Sequence, residues 1–114
     1  MRVIINGTVD FSPENAAAAL EESAQLMKDT RDQKGCNHYV WSLDPAVPGR
    51  VYVYENWDSS EDLNAHLKGP FYADMLGLLG KYEMLGTDIL KYRIDHEEPV
   101  YDPQGVPRGE FFTG

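Results

Sequence analysis

Between Arg50 and Tyr72 the chain reads RVYVYENWDSSEDLNAHLKGPFY, a strand that passes into a helix with almost nothing in between. The alternating Val-Tyr-Val-Tyr sets bulky, β-favouring side chains on both faces of a pleated segment. Val51, Val53, Glu55 and Trp57 share one face, and Tyr52, Tyr54 and Asn56 share the other. Asp58 is expected to cap the following helix, with Glu61 three residues on as in a capping box. Leu63, His66 and Leu67 fall on one side of that helix, so the His66 imidazole is expected to point inward with the leucines.

The rest of the chain supplies partners for this unit. Residues 2–9 predict a first strand. Ser12 and Pro13 predict the start of a helix that runs to about Gln33, with Ala17, Leu20, Ala24 and Met27 on its inner side and Gly35 ending it. Residues 36–43 and 50–57 predict two strands joined by the turn Asp44 to Gly49. The helix after Asp58 stops near Gly69, and Pro70 restarts one whose Phe71, Met75, Leu78 and Tyr82 form an apolar stripe. A last strand is expected at 87–94. The resulting βαββαβ order predicts an α+β, ferredoxin-like antiparallel sheet with its helices on one face.

In the second strand His38 and Val40 oppose Tyr39, Trp41 and Leu43, so neither face is cleanly polar. An antiparallel sheet with one wet face should alternate between apolar and polar residues. Helices can cover only one face here, so the other is expected to meet the same face of a second copy, giving a homodimer. Residues 1–94 make up the domain. Residues 95–114, with three prolines and three glycines yet also Val100, Tyr101, Phe111 and Phe112, are expected to form an extended arm that packs on the partner subunit.

Bulk composition narrows the partners. Nineteen acidic residues against ten basic ones give a formal charge of −9, the wrong sign for nucleic acid or an anionic membrane. No apolar run approaches the length of a membrane span. A single cysteine suits a reducing cytoplasm. There is no G-x-G-x-x-G after a strand, no P-loop, no C-x-x-C and no H-E-x-x-H, so no nucleotide, cofactor or metal site is predicted.

The residues able to do chemistry are few. His66 can move protons near neutral pH. Asn6 interrupts the apolar run Val3-Ile4-Ile5 and could orient an oxygen atom of a substrate. Trp57, with His38, Tyr39, Tyr54 and Tyr72, offers aromatic surface with polar tips, suited to a planar oxygenated ring. His96 lies among acids and is expected in solvent, and Cys36 is read as a small core residue.

Several of these positions fall in order within a wider pattern. Glu55-x-Trp57 ends a strand, His66-Leu67-x-x-Pro70 ends the next helix, and Gly35-Cys36 followed by Tyr39 opens the second strand. The pattern resembles the antibiotic biosynthesis monooxygenase family over roughly residues 1–94. That resemblance implies a small dimeric α+β barrel and a cofactor-independent monooxygenase acting on a phenolic, quinol-like or polyketide-type molecule with dioxygen. The family also contains a sugar-signal isomerase, whose strand resembles DPAVPGRVYVYE, and haem-degrading enzymes. No histidine stands about ten residues beyond His66, which disfavours haem. Phe71 replaces a second histidine found in other relatives, and Val53 stands where the polyketide oxygenases carry an asparagine. An isomerase or lyase of a small carbonyl compound, or a non-catalytic binding protein, are the alternative expectations.

Overall fold

Two central strands, β1 (Arg2–Phe11) and β3 (Arg50–Trp57), form the spine of the protein, a computed structural model describing all 114 residues. They pair antiparallel from Val3 opposite Trp57 to Asp10 opposite Arg50. The strand β2 (Cys36–Leu43) flanks β3, and β4 (Met84–Ile94) flanks β1, so the spatial order is β2-β3-β1-β4. Helix α1 (Ala16–Arg31) makes the first crossover. The second is broken in two, α2 (Ser60–Leu67) and α3 (Pro70–Leu79), because Pro70 cannot continue a helix but can begin one. This is the expected α+β ferredoxin-like sheet with its helices on one side.

Strand alternation decides where the core sits. Val3, Val9 and Phe11 of β1 and Val51, Val53, Glu55 and Trp57 of β3 face the helices and are buried. Their neighbours face away, and Tyr52 of β3 with Leu90 and Tyr92 of β4 leave that outer face apolar and uncovered. Gly7 is needed in β1 because a Cβ there would lie 2.1 Å from the Asp88 carbonyl oxygen of β4. Gly35, at a φ of +80°, turns the chain into β2 where a side chain would run into Asp62.

The local expectations were displaced in three places. Ser12 does not cap α1: β1 runs on through Phe11, whose N–H donates to Gly49 O, and Ser12 O then accepts from Asn15 N–H in a turn. The helix begins four residues later, at Ala16. Its inner stripe is accordingly Ala16, Ala19, Ser23, Met27 and Thr30, while Ala17 and Ala24 face solvent. The small residues allow close approach to the sheet, and Arg31 Nε donates to Tyr39 O at 2.8 Å to fix the end of α1 on β2. The cap of α2 is Ser59, which accepts from Asp62 N–H at 3.1 Å, and not Asp58. Asp58 is engaged at the strand end, where its carboxylate accepts from Asn37 Nδ2 at 2.8 Å. In α2, Leu63 and His66 are buried but Leu67 is exposed, not inward.

The segment after β4 also differs from a plain extended arm. It folds on itself through a bridge between Tyr101 and Pro107, with Asp102 holding the turn by accepting from Gln104 and Val106 N–H groups. The last residues then return to Glu98, which accepts from the N–H groups of Phe112 and Thr113 and from the Thr113 hydroxyl. Burial alone would raise the Glu98 pKa, but bonds from Thr113, His96 and the backbone hold it down at about 2. No helix is long and apolar enough to cross a membrane.

Candidate functional site

His66 lies on the inner side of α2, 2% exposed, with an aromatic ring on each of three sides. Trp57 from β3 stacks on it with ring centroids 4.9 Å apart. Tyr39 from β2 and Tyr72 from α3 meet it edge-on at 5.6 and 5.9 Å. Three elements, β2, β3 and α3, therefore converge on the imidazole carried by α2. Its Nδ1 stands 2.7 Å from Gln33 Oε1, beyond the end of α1. An amide oxygen can only accept, so Nδ1 carries the proton and Nε2 keeps its lone pair. Burial lowers the His66 pKa, so this neutral form is the one present at neutral pH.

Beneath the tryptophan is a carboxyl group. Glu55 occupies the same buried face of β3, and its Oε1 accepts from Trp57 Nε1–H at 3.0 Å. That is the one hydrogen bond its side chain makes within the chain. Burial raises its pKa, and the single indole bond opposes this only in part. The opposite shifts of Glu55 and His66 come from the same cause acting on an acid and a base. Tyr39 is likewise pushed up, by burial first and by the Glu55 charge second, so its phenol stays protonated. Cys36 is pushed up to about 11 by burial and by Glu55, against Arg31, which makes its thiol a poor nucleophile at neutral pH.

The seven residues singled out from the sequence fall into two sets. Trp57, Tyr39, Tyr72 and His66 are together on the helix side. Asn6, His38 and Tyr54 are on the other face of the sheet, where Asn6 is paired with Tyr54 and the His38 and Tyr54 rings are 5.7 Å apart. The odd-numbered residues of β1 are the ones aimed at the helices, so Asn6, an even one, is aimed away from them. Within a subunit Asn6 and His66 therefore lie on opposite faces of the sheet.

Two residues of the site were missed. Glu55 had a sequence signal, since it is a carboxylate on the face that Val51, Val53 and Trp57 mark as buried. Gln33 had none, because its contact with His66 spans 33 residues and depends on how α1 ends.

Though buried, His66 is among the residues lining an open groove of about 410 Å³ between the end of α1 and α2, with Gln33, Lys34, Glu61, Asp62 and Ala65 beside it. No group of three or more His, Cys, Asp or Glu side chains is arranged to hold a metal ion.

A four-stranded antiparallel sheet with this strand order and its helices on one face defines the chain as a ferredoxin-like α+β protein. Residues 2–76 match the model of the antibiotic biosynthesis monooxygenase family, and the chain belongs to that family. A candidate antibiotic biosynthesis monooxygenase from Deinococcus radiodurans has a similar structure, with a TM-score of 0.78 and 26% identity, over 88% of this chain and 99% of its own. A conserved protein from Methanosarcina mazei shares the fold at a TM-score of 0.73 and 19% identity, over 82% and 92% of the two chains. A further candidate monooxygenase from Nitrosomonas europaea does so at 0.72 and 14%, over 80% and 88%. No functionally curated protein matches the sequence.

Proposed function

We propose that the protein is a homodimeric monooxygenase that oxidises a phenolic or quinol-like small molecule with dioxygen, without a bound cofactor, in the cytoplasm. The observation that carries the reading is the neutral imidazole of His66, its Nδ1–H tied to Gln33 and its ring enclosed by Trp57, Tyr39 and Tyr72. Family membership and the monooxygenase relatives support it. An electron-rich phenolate can itself reduce dioxygen, so the protein has three tasks. It takes the phenolic proton on His66 Nε2, holds the anion away from water, and returns the proton. For an anthrone-type substrate, whose phenol tautomer ionises, the overall change balances as its methylene carbon losing two hydrogens and gaining one oxygen atom, while the second oxygen atom leaves as water.

The outer sheet face, with Tyr52, Leu90 and Tyr92, is the surface on which a second copy would sit. Asn6, His38 and Tyr54 would then lie at the subunit junction. The exposed Val100, Tyr101 and Phe111 of the C-terminal segment would add to the contact.

The test is oxygen consumption by metal-free protein with anthrone-type and quinol-type substrates. A folded His66→Ala variant is expected to lose about 10²–10⁴-fold in rate, the usual share of a general base. Full retention would remove His66 from the mechanism. Activity is expected to fall on the acid side as the imidazole protonates, with the limb below pH 6.5 because the shift is downward.

A second reading has its own support. Glu55 and His66 flank one indole and are biased toward the protonated acid and the free base, a pairing suited to removing and returning a proton in an isomerase of a small carbonyl compound. Turnover that persists without oxygen would select it.

A further inference from the structure

Helix α2 divides two grooves, and only one of them belongs to His66. At about 100° per residue, Ser60, Asn64 and Leu67 lie on one side of the helix and Asp62 and Ala65 on the other, with the buried Leu63 and His66, about 60° apart, between them, Leu63 next to the first side and His66 next to the second. The first side borders the larger groove, about 540 Å³, whose other wall is β4 and whose floor includes Val3 of β1. This volume is within the range of small-molecule pockets.

The wall formed by β4 is cationic. Lys91 and Arg93 are two residues apart and paired with Ile5 and Val3, so both project on the helix side of the sheet, into this groove. Neither is in an ion pair, although Arg2, Arg50, Lys81 and Arg108 all are. In a chain of net charge −9, two free cations side by side over apolar residues are a local reversal of sign. Glu61 stands on the helix rim of the same groove, where it opposes a second negative charge on any occupant. The overturned orientation of Leu67 gains a role here, since its exposed side chain supplies apolar wall.

We propose that this groove binds an organic monoanion with an apolar body, its acid group held between Lys91 and Arg93 and its body laid over Val3, Leu63 and Leu67. Ser60 and Asn64 offer a hydroxyl and an amide to a further polar substituent. The site lies across α2 from the imidazole and on the opposite side of the sheet from Tyr52 and Leu90. It stands independently of the oxygenase reading.

The test is an NMR titration of the isotopically labelled full-length protein with 2-naphthoate and with its neutral counterpart 2-naphthylmethanol. Naphthoate is expected to shift the Leu63, Leu67, Lys91 and Arg93 signals and to bind at least about tenfold more tightly than the alcohol, with affinity falling as salt is raised. Lys91→Met and Arg93→Met, both exposed changes that leave the core untouched, are each expected to weaken naphthoate several-fold and leave the alcohol unaffected. Equal binding of acid and alcohol would overturn the proposal. So would shifts centred on Gln33 and His66, or no shift up to about 10 mM ligand, a concentration that exceeds any useful affinity.

Discussion

Replacing Glu55 with glutamine tests the electrostatics of the site without touching its packing. The carboxyl is 7% exposed and has one donor, Trp57 Nε1–H at 3.0 Å, which an amide oxygen can also use. Burial raises the folded-state pKa above the ordinary 4.5. The folded protein therefore holds a proton that the unfolded chain has released, over the window from 4.5 up to the folded value. The stability linked to that proton is fully present below 4.5 and is lost as the pH rises through the window. Each pH unit of that window is about 1.4 kcal/mol. The variant has no such group to titrate, so between pH 4 and pH 7 its stability should gain on the wild type by that amount for every unit of the window, or roughly 6 °C in melting temperature per unit for a domain of this size. The fixed cost of fitting the amide cancels in the difference between the two pH values, as does the His66 contribution, which both proteins share. Thermal unfolding of wild type and Glu55→Gln across pH 4–7 measures it directly. A difference that is constant with pH, or that moves toward the wild type as pH rises, would refute the claim that Glu55 is buried with its charge opposed.

Three further outcomes are expected. With its thiol pushed up to about 11, Cys36 should be about one-thousandth ionised at pH 8 and react with iodoacetamide correspondingly slowly, and labelling at the rate of free cysteine would contradict the packing. Glu98→Gln should release the C-terminal residues, seen as faster amide exchange at Phe112 and Thr113; in the wild type the same release should begin as pH falls below 4.5 toward 2, because a lowered carboxylate pKa stabilises above the unfolded value and not below it. In the proposed dimer, Tyr52→Glu on the outer sheet face would place like charges from both copies in the contact and should halve the mass measured by light scattering, and a dimeric mass that is unchanged would move the proposed contact elsewhere.

What the sequence made legible followed from period and punctuation. The strands at 36–43 and 50–57 matched residue for residue, because Gly35, the Asp44 to Gly49 turn and Asp58 bound them sharply. The division of β3 into a face of Val51, Val53, Glu55 and Trp57 and a face of aromatics held for the same reason: a period of two leaves no third choice. Helix phase was harder. In α1 the run Ala16 to Ala19 offers four nearly equivalent small residues, and the register was set by Phe11, through the two-residue extension of β1, which no local propensity reveals. The α2 cap lies one residue further on, at Ser59, while the Asp58 carboxylate accepts from Asn37 and lies 3.7 Å from Arg2 at the strand end.

The candidate site divides along the same line. His66 and Trp57 were legible as companions because each lies on a face marked by apolar residues, Leu63 for His66 and Val51 and Val53 for Trp57. Asn6 was grouped with them on chemistry alone, and chemistry carries no direction. Within residues 2–9, Val3, Ile5 and Val9 are odd-numbered while Arg2, Asn6 and Thr8 are even-numbered, so the outward orientation of Asn6 was available from parity in the sequence itself. Gln33 is the opposite case: an amide beyond a helix end has no period to read, and only the packing of α1 against α2 brings it within 2.7 Å of the imidazole. The tautomer of the one base in the site is therefore set by a residue that belongs to no motif. A single substitution that shifted the end of α1 would leave every motif intact and return Nδ1 to solvent, freeing the imidazole to take either neutral form.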